Sequence, residues 1–292
     1  MESKGVNGTS GRVVRRHWVQ SAGVTLTYTV EGTGTPLLVV GSSRYYPRTF
    51  SRDLRQSCTL VCADLPHFVS LSQNFQTESI SFDSYAEHIN AIRVSAGLER
   101  VAVVRHSHHG NVALEYAKRY HLNVSHVVLI GTPPVNIAQT VKEAERYWAC
   151  SASDERKAVL QQRRCMSDSK HLTSLPPTQT YISQYVTDAP LYWNDPNYDA
   201  SWLWEDMTFD MDAVSAFRGL YSDYELSWDE DKFNAPVLVV LGRNDFAVPH
   251  TLWKGILPRL ANVTFHLLEH SGHTPQLEQP KEFDQLLLGW LQ

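Results

Sequence analysis

The chain has 292 residues, 42% of them hydrophobic, 11% aromatic and 20% charged, which sets a prior of one or two domains and excludes a wholly disordered chain, a collagen-like repeat and a coiled coil. Acids outnumber bases by 31 to 26, for a formal charge of −5, and there is no basic run, so nucleic acid is not an expected partner. No apolar stretch approaches the ~20 residues of a membrane span, so no membrane association is expected either.

Residues 1–14 form a polar segment without an apolar stretch of the kind a secretory signal carries, and we read them as a disordered tail on a cytoplasmic protein. Cys58, Cys62, Cys150 and Cys165 show neither a CxxC pair nor a zinc spacing, and they read as reduced, buried thiols.

From Val24 to Val30 the residues alternate as in a strand, and a Gly/Thr/Pro-rich turn follows. Leu37–Val40 is a continuous apolar run, as a strand buried on both faces requires. Cys58–Ala63 is a further strand. Ser81–Ala96 reads as a helix with Phe82, Tyr85, Ala86, Ile89 and Ile92 on one face. Val101–Val104 is a short buried strand that runs into Arg105-His106-Ser107-His108-His109-Gly110. A helix carrying Val112, Ala113, Tyr116 and Ala117 follows, then a strand at Val127–Ile130.

Residues 135–232 break the pattern. They contain no convincing buried strand and are helical and aromatic, with Trp148, Trp193, Trp202, Trp204 and Trp228 among them. Strands resume at Pro236–Leu241 and Val263–Leu268, and a last helix covers about Phe283–Leu291. Strands alternating with helices argue a mostly parallel sheet with helices on both faces. With no linker around the helical block, we expect an inserted cap over 135–232 and a core made of 15–134 and 233–292.

In such sheets ligands gather at the carboxyl ends of the strands. Ser107 follows the Val101 strand, Asp245 the Pro236 strand, and His273 the Val263 strand. The order Ser, Asp, His is that of a hydrolase triad with its serine on a strand-to-helix elbow. Val101–Tyr120 with Val127–Pro134, Pro236–Pro249 and His270–Pro280 together resemble the α/β-hydrolase superfamily, and within it the proline iminopeptidase-like group.

The resemblance covers roughly 15–292. It implies the α/β-hydrolase fold: an eight-stranded core with a helical cap between strands six and seven. A serine hydroxyl is a poor nucleophile without an adjacent base. Ser107 is therefore the expected nucleophile, His273 the base, with His270 as its rival, and Asp245 the group that orients the imidazole. The oxyanion would meet the backbone N–H of His108 and one from the loop after Leu37–Val40, at Ser42, with Ser43 as the alternative.

Two departures from the family stand out. The elbow usually has small residues two before and two after the serine, where Arg105 and His109 stand here, and the loop after the Leu37 strand lacks the usual His-Gly start. A guanidinium at a central strand end must be paired or reach the pocket. His106, His108 and His109 do not read as metal ligands, because side chains on an elbow point apart; no metal or cofactor is expected.

His67 follows another strand end and either lines the pocket or caps a loop. The aromatic cap suits an apolar ligand. Within it Trp204 and Glu205 are candidate pocket residues, because proline iminopeptidases hold the substrate amine with cap acids. The expected function is hydrolysis of a small, largely apolar ester, lactone or amide. The alternatives are a cofactor-free lyase or cyclase that uses Arg105 and the histidines, and a ligand-binding protein on the same fold.

Overall fold

The computed structural model describes residues 15–167, 175–227 and 233–292. The tail expected over 1–14 lies outside them, as does Trp228. Eight strands make one sheet: β1 (Arg15–Ser21), β2 (Val24–Gly32), β3 (Thr35–Gly41), β4 (Cys58–Asp64), β5 (Val101–His106), β6 (Val124–Ile130), β7 (Val237–Gly242) and β8 (Val263–Leu268). Their order is β1-β2-β4-β3-β5-β6-β7-β8. The β1–β2 and β2–β4 pairs are antiparallel, and all the others are parallel. This is the mostly parallel α/β sheet that the sequence pattern leads one to expect.

Strand alternation explains the two layers around it. Val101 and Val103 of β5 pack with helices α1 (Phe82–Ser95) and α2 (His109–Arg119) on one face. Ala102 and Val104 join Phe283 and Leu287 of the last helix (Pro280–Trp290) on the other. α1 begins at Ser81, which accepts the Ser84 N–H in a reciprocal capping box.

β1 escapes the sequence pattern because it is an edge strand paired on one side only. Its residues are exposed or half-buried, and Trp18 is 61% exposed. β5 runs two residues past the apolar run, because Arg105 and His106 continue the parallel register opposite Leu129 and Ile130.

Between β6 and β7 the described residues form α3 (Ile137–Ser151), α4 (Asp154–Met166), α5 (Pro177–Thr187), α6 (Met211–Gly219) and short helical turns, with no strand among the described residues. Asn136, Ser153 and Asp210 cap three of these helices through their side chains. All four cysteines are free. Cys58 and Cys62 are buried on β4, but Cys150 and Cys165 are exposed on α3 and α4, so only half of the expected buried thiols are buried. No described helix is long and apolar enough to cross a membrane.

Candidate active site

β5 ends at His106 and α2 begins at His109, so Ser107 and His108 make the whole turn. Ser107 has φ 61°, in the left-handed region that residues other than glycine rarely occupy. Its N–H donates to the Ile130 carbonyl at 2.8 Å, and its own carbonyl accepts the Gly110 N–H at 2.9 Å. A Cβ on Gly110 would run into the Thr132 side chain. The close approach that the elbow demands therefore falls three residues after Ser107, which leaves the second position free for His109.

Asp245 sits in the loop after β7 and is fully buried. Its Oδ1 accepts the N–H groups of Ala247 at 3.0 Å and Val248 at 2.8 Å, while Oδ2 faces His273 Nδ1 at 2.7 Å. With Nδ1 engaged, Nε2 is the imidazole nitrogen left to exchange a proton. The His273 carbonyl accepts from His106 Nε2 at 2.8 Å, and its N–H donates to the Tyr192 carbonyl.

Gly131, at φ 54°, lies against this imidazole: a Cβ there would fall 2.9 Å from the His273 carbonyl oxygen and 3.1 Å from Nδ1. Glu278 accepts the N–H groups of Gly272 at 2.8 Å and Asn194 at 2.7 Å, and burial pushes its carboxyl up to about 7. The rival His270 is exposed, outside both cavities described next.

Ser107 and His273 both line two cavities that share walls, of about 90 Å³ and about 480 Å³. No hydrogen bond joins the two side chains among the described residues; what they share is the lining of both cavities. Tyr45, Tyr46, Tyr192 and Trp204 line the smaller cavity, and Trp148, Phe217 and Phe246 the larger. Trp204 thus belongs to the wall, whereas Glu205 is exposed and lines neither cavity; its carbonyl accepts from Arg48.

At the end of β3, the Ser43 N–H is committed to Asp64 Oδ1 at 2.7 Å and its hydroxyl to Oδ2 at 2.9 Å. Burial raises the Asp64 carboxyl to about 6. The Ser42 hydroxyl accepts the N–H groups of Arg44 and Tyr45, each at 3.1 Å. Neither the Ser42 nor the His108 N–H has an acceptor among the described residues. Of the two serines, Ser42 is therefore the one with a donor to offer.

Arg105 does neither of the two things its position suggested. It forms no ion pair among the described residues and does not line the cavities. Alternation along β5 turns it to the Val101 and Val103 face, where it is fully buried. There Nε donates to the His109 carbonyl at 2.8 Å and Nη1 to the Val40 carbonyl.

His67 is buried on the wall of the larger cavity. Its partner could not be foreseen from sequence: His67 Nε2 lies 2.9 Å from His109 Nε2, and Nδ1 lies 2.8 Å from the Tyr85 hydroxyl. Burial first, and the Arg105 charge after it, hold both imidazoles well below their ordinary value. No cluster of metal-ligating side chains occurs among the described residues.

A family profile for the alpha/beta hydrolase fold matches residues 34–280. The chain is 31% identical over 283 residues to the AB hydrolase superfamily protein YclE of Bacillus subtilis (strain 168), covering 93% of this chain and 96% of that one. It is 23% identical over 217 residues to a proline iminopeptidase of Lacticaseibacillus rhamnosus (strain Lc 705), over 72% of each chain. Among solved structures, an alpha/beta fold family hydrolase from Bacillus anthracis str. Sterne superposes with a TM-score of 0.69 at 16% identity, over 94% of this chain and 99% of that one.

Proposed function

The chain belongs to the alpha/beta hydrolase fold family, and from that premise we propose that it is a serine hydrolase cleaving a small, largely apolar ester, lactone or amide through an acyl-enzyme on Ser107. One observation carries the reading. A serine held at positive φ on the β5–α2 turn shares two cavities with an imidazole whose other nitrogen is bonded to a buried carboxylate.

His273 takes the Ser107 proton as the hydroxyl oxygen attacks the substrate carbonyl. Asp245 fixes the Nδ1–H tautomer and stabilises the imidazolium that forms. The negative oxygen of the tetrahedral intermediate accepts from the Ser42 and His108 N–H groups, which cost no reorganisation. The imidazolium then returns its proton to the leaving group, and water repeats the sequence to release the acid.

Residues 135–232 act as a cap over a core of 15–134 and 233–292. This assignment is supported by Trp148 of α3, Tyr181 and Tyr185 of α5 and Phe217 of α6, all of which wall the larger cavity. The free thiols suit a cytoplasmic setting. The Lacticaseibacillus relative is a proline iminopeptidase, but Glu205, the acid proposed to hold an amine, lies outside the cavities, so we favour ester or lactone substrates.

The test is labelling with a fluorophosphonate, followed by peptide mapping. Stoichiometric labelling of Ser107, lost in Ser107→Ala, is the expected result, with ester turnover falling by roughly four to six orders of magnitude. Turnover near the wild-type rate in folded Ser107→Ala would remove the acyl-enzyme.

A further inference from the structure

The walls of the larger cavity are not uniformly apolar. His108, His109 and Tyr221 all line it, and each carries a buried polar atom without a partner: His108 Nε2, His109 Nδ1 and the Tyr221 hydroxyl. Arg105 Nη2, behind the elbow, is a fourth. These groups are close together. Arg105 Nε donates to the His109 carbonyl, the His108 and Tyr221 rings lie 5.7 Å apart, and Phe217 stacks on His109 while touching Tyr221. Phe68, Trp148, Phe209, Val214 and Phe246 make up much of the rest. Buried polar atoms are almost always satisfied in native structures, and leaving them unpaired is costly.

We propose that the larger cavity takes an acyl group carrying an oxygen substituent, neutral or anionic, and disfavours one carrying an ammonium. The inference rests on the acyl-enzyme reading, whose site it shares. A hydrocarbon leaves the three atoms on the cavity's lining residues unpaired. A hydroxyl, carbonyl or phenolic oxygen gives them a partner, and a site with buried polar groups discriminates steeply against an analogue that lacks the matching oxygen.

The sign of the charge follows from Arg105. Its buried guanidinium has no carboxylate partner among the described residues, and it lies at the N-terminal end of α2, whose dipole has the same sign. The same charge adds to burial in keeping His67, His106 and His109 neutral. A substrate ammonium in the cavity would be repelled by that like charge. Glu145, Arg164 and Arg218 also line the cavity, but they are exposed, and Arg164 is paired with Asp188.

Tyr85 and His67 are positioning residues. The His67 and His109 ring planes lie within 4° of parallel, and in their shared bond one Nε2 donates and the other accepts. When His109 Nε2 accepts, its Nδ1 carries the proton and donates; when Nε2 donates, Nδ1 accepts. The pair can therefore present a donor to a carbonyl or an acceptor to a hydroxyl without either ring becoming charged.

The test compares para-nitrophenyl dihydrocinnamate with its α-hydroxy, β-hydroxy, para-hydroxy and β-amino derivatives. The readout is kcat/KM for the wild type, Tyr221→Phe, His67→Phe and His67→Gln. In parallel, calorimetry measures binding of the corresponding methyl esters to Ser107→Ala, alone and combined with Tyr221→Phe. At least one hydroxylated compound should be favoured over the parent by about tenfold or more, and the ammonium compound should rank below the parent. The preference should shrink by roughly threefold or more in Tyr221→Phe and His67→Phe, and return in part in His67→Gln.

A parent ester preferred to every hydroxylated one, an ammonium compound equal to the best, or a preference unchanged in both variants would overturn the proposal. If the wild type turns over none of the esters and Ser107 resists labelling, the acyl-enzyme reading fails, and the binding series on Ser107→Ala still decides the oxygen preference.

Discussion

Ser107 holds a backbone conformation that costs on the order of 1–3 kcal/mol for a residue with a Cβ, and single contacts around it keep that conformation useful. Gly131 makes one of these. Its positive φ and the 3.1 Å that would separate an added Cβ from His273 Nδ1 leave no room for a side chain. Gly131→Ala should therefore push the imidazole aside and lower kcat by roughly tenfold or more with little change in KM, since small displacements in a catalytic site are expensive in rate. An unchanged kcat would show that the imidazole does not depend on this contact. Arg105 makes the opposite point. Because it ties the end of β3 to the start of α2 through two carbonyls, Arg105→Gly should not relax the elbow. It should strand both acceptors and open a void, losing roughly 3 kcal/mol or more in a urea titration. A glycine variant as stable as the wild type and faster on a simple ester would show that the two carbonyl contacts do not hold the elbow.

At the scale of elements, the loop after β8 is fixed by the turn that follows it. Gln279 accepts from the His270 N–H and the Ser271 hydroxyl, and Glu278 from the Gly272 and Asn194 N–H groups. Both Glu278 oxygens are acceptors, so Glu278→Gln sets an amide donor against a backbone donor. Turnover should fall roughly ten- to a hundredfold while binding of product acids holds; equal loss of binding would point to a broader collapse. This loop also marks where the sequence stops being readable. The apolar runs of β3, β5, β6 and β7 are legible because a strand covered on both faces has no choice but Val, Leu and Ile. Their carboxyl ends point to Ser107 and Asp245, as the end of β8 points to His273. β1 is not legible, because an edge strand with arginines and an exposed tryptophan has no such constraint. The role of Glu278 cannot be read from a glutamate beside a short helical turn. The pairing of His67 with His109, 42 residues apart, depends on where β4 and β5 lie in the sheet.

For the whole molecule, the buried histidines decide how stability responds to acid. Burial lowers the imidazole pKa of His67, His88, His106, His108 and His109, and more weakly of the half-buried His126 and His250. Below the ordinary imidazole value of about 6.5, the unfolded chain takes up protons that the folded protein refuses. Stability from this source is present above that pH and is lost as pH falls toward about 4, where His88 and His108 titrate in the fold. Three carboxyls oppose it. Asp64 at about 6, Glu278 at about 7 and the raised Asp284 hold protons in the fold that the unfolded chain releases, so they favour folding as pH falls through the same range. Five well-buried imidazoles against three carboxyls leave the unfolded state binding more protons. Thermal unfolding followed at pH 7.5, 6.5, 5.5 and 4.5 should therefore show Tm falling throughout, as stability is lost by on the order of a few kcal/mol per pH unit at its steepest. His67→Phe, which removes one of the most buried of these groups, should make the fall shallower even where it lowers Tm at neutral pH. A Tm that is flat or rising between pH 7.5 and 4.5 would mean that the carboxyls outweigh the imidazoles.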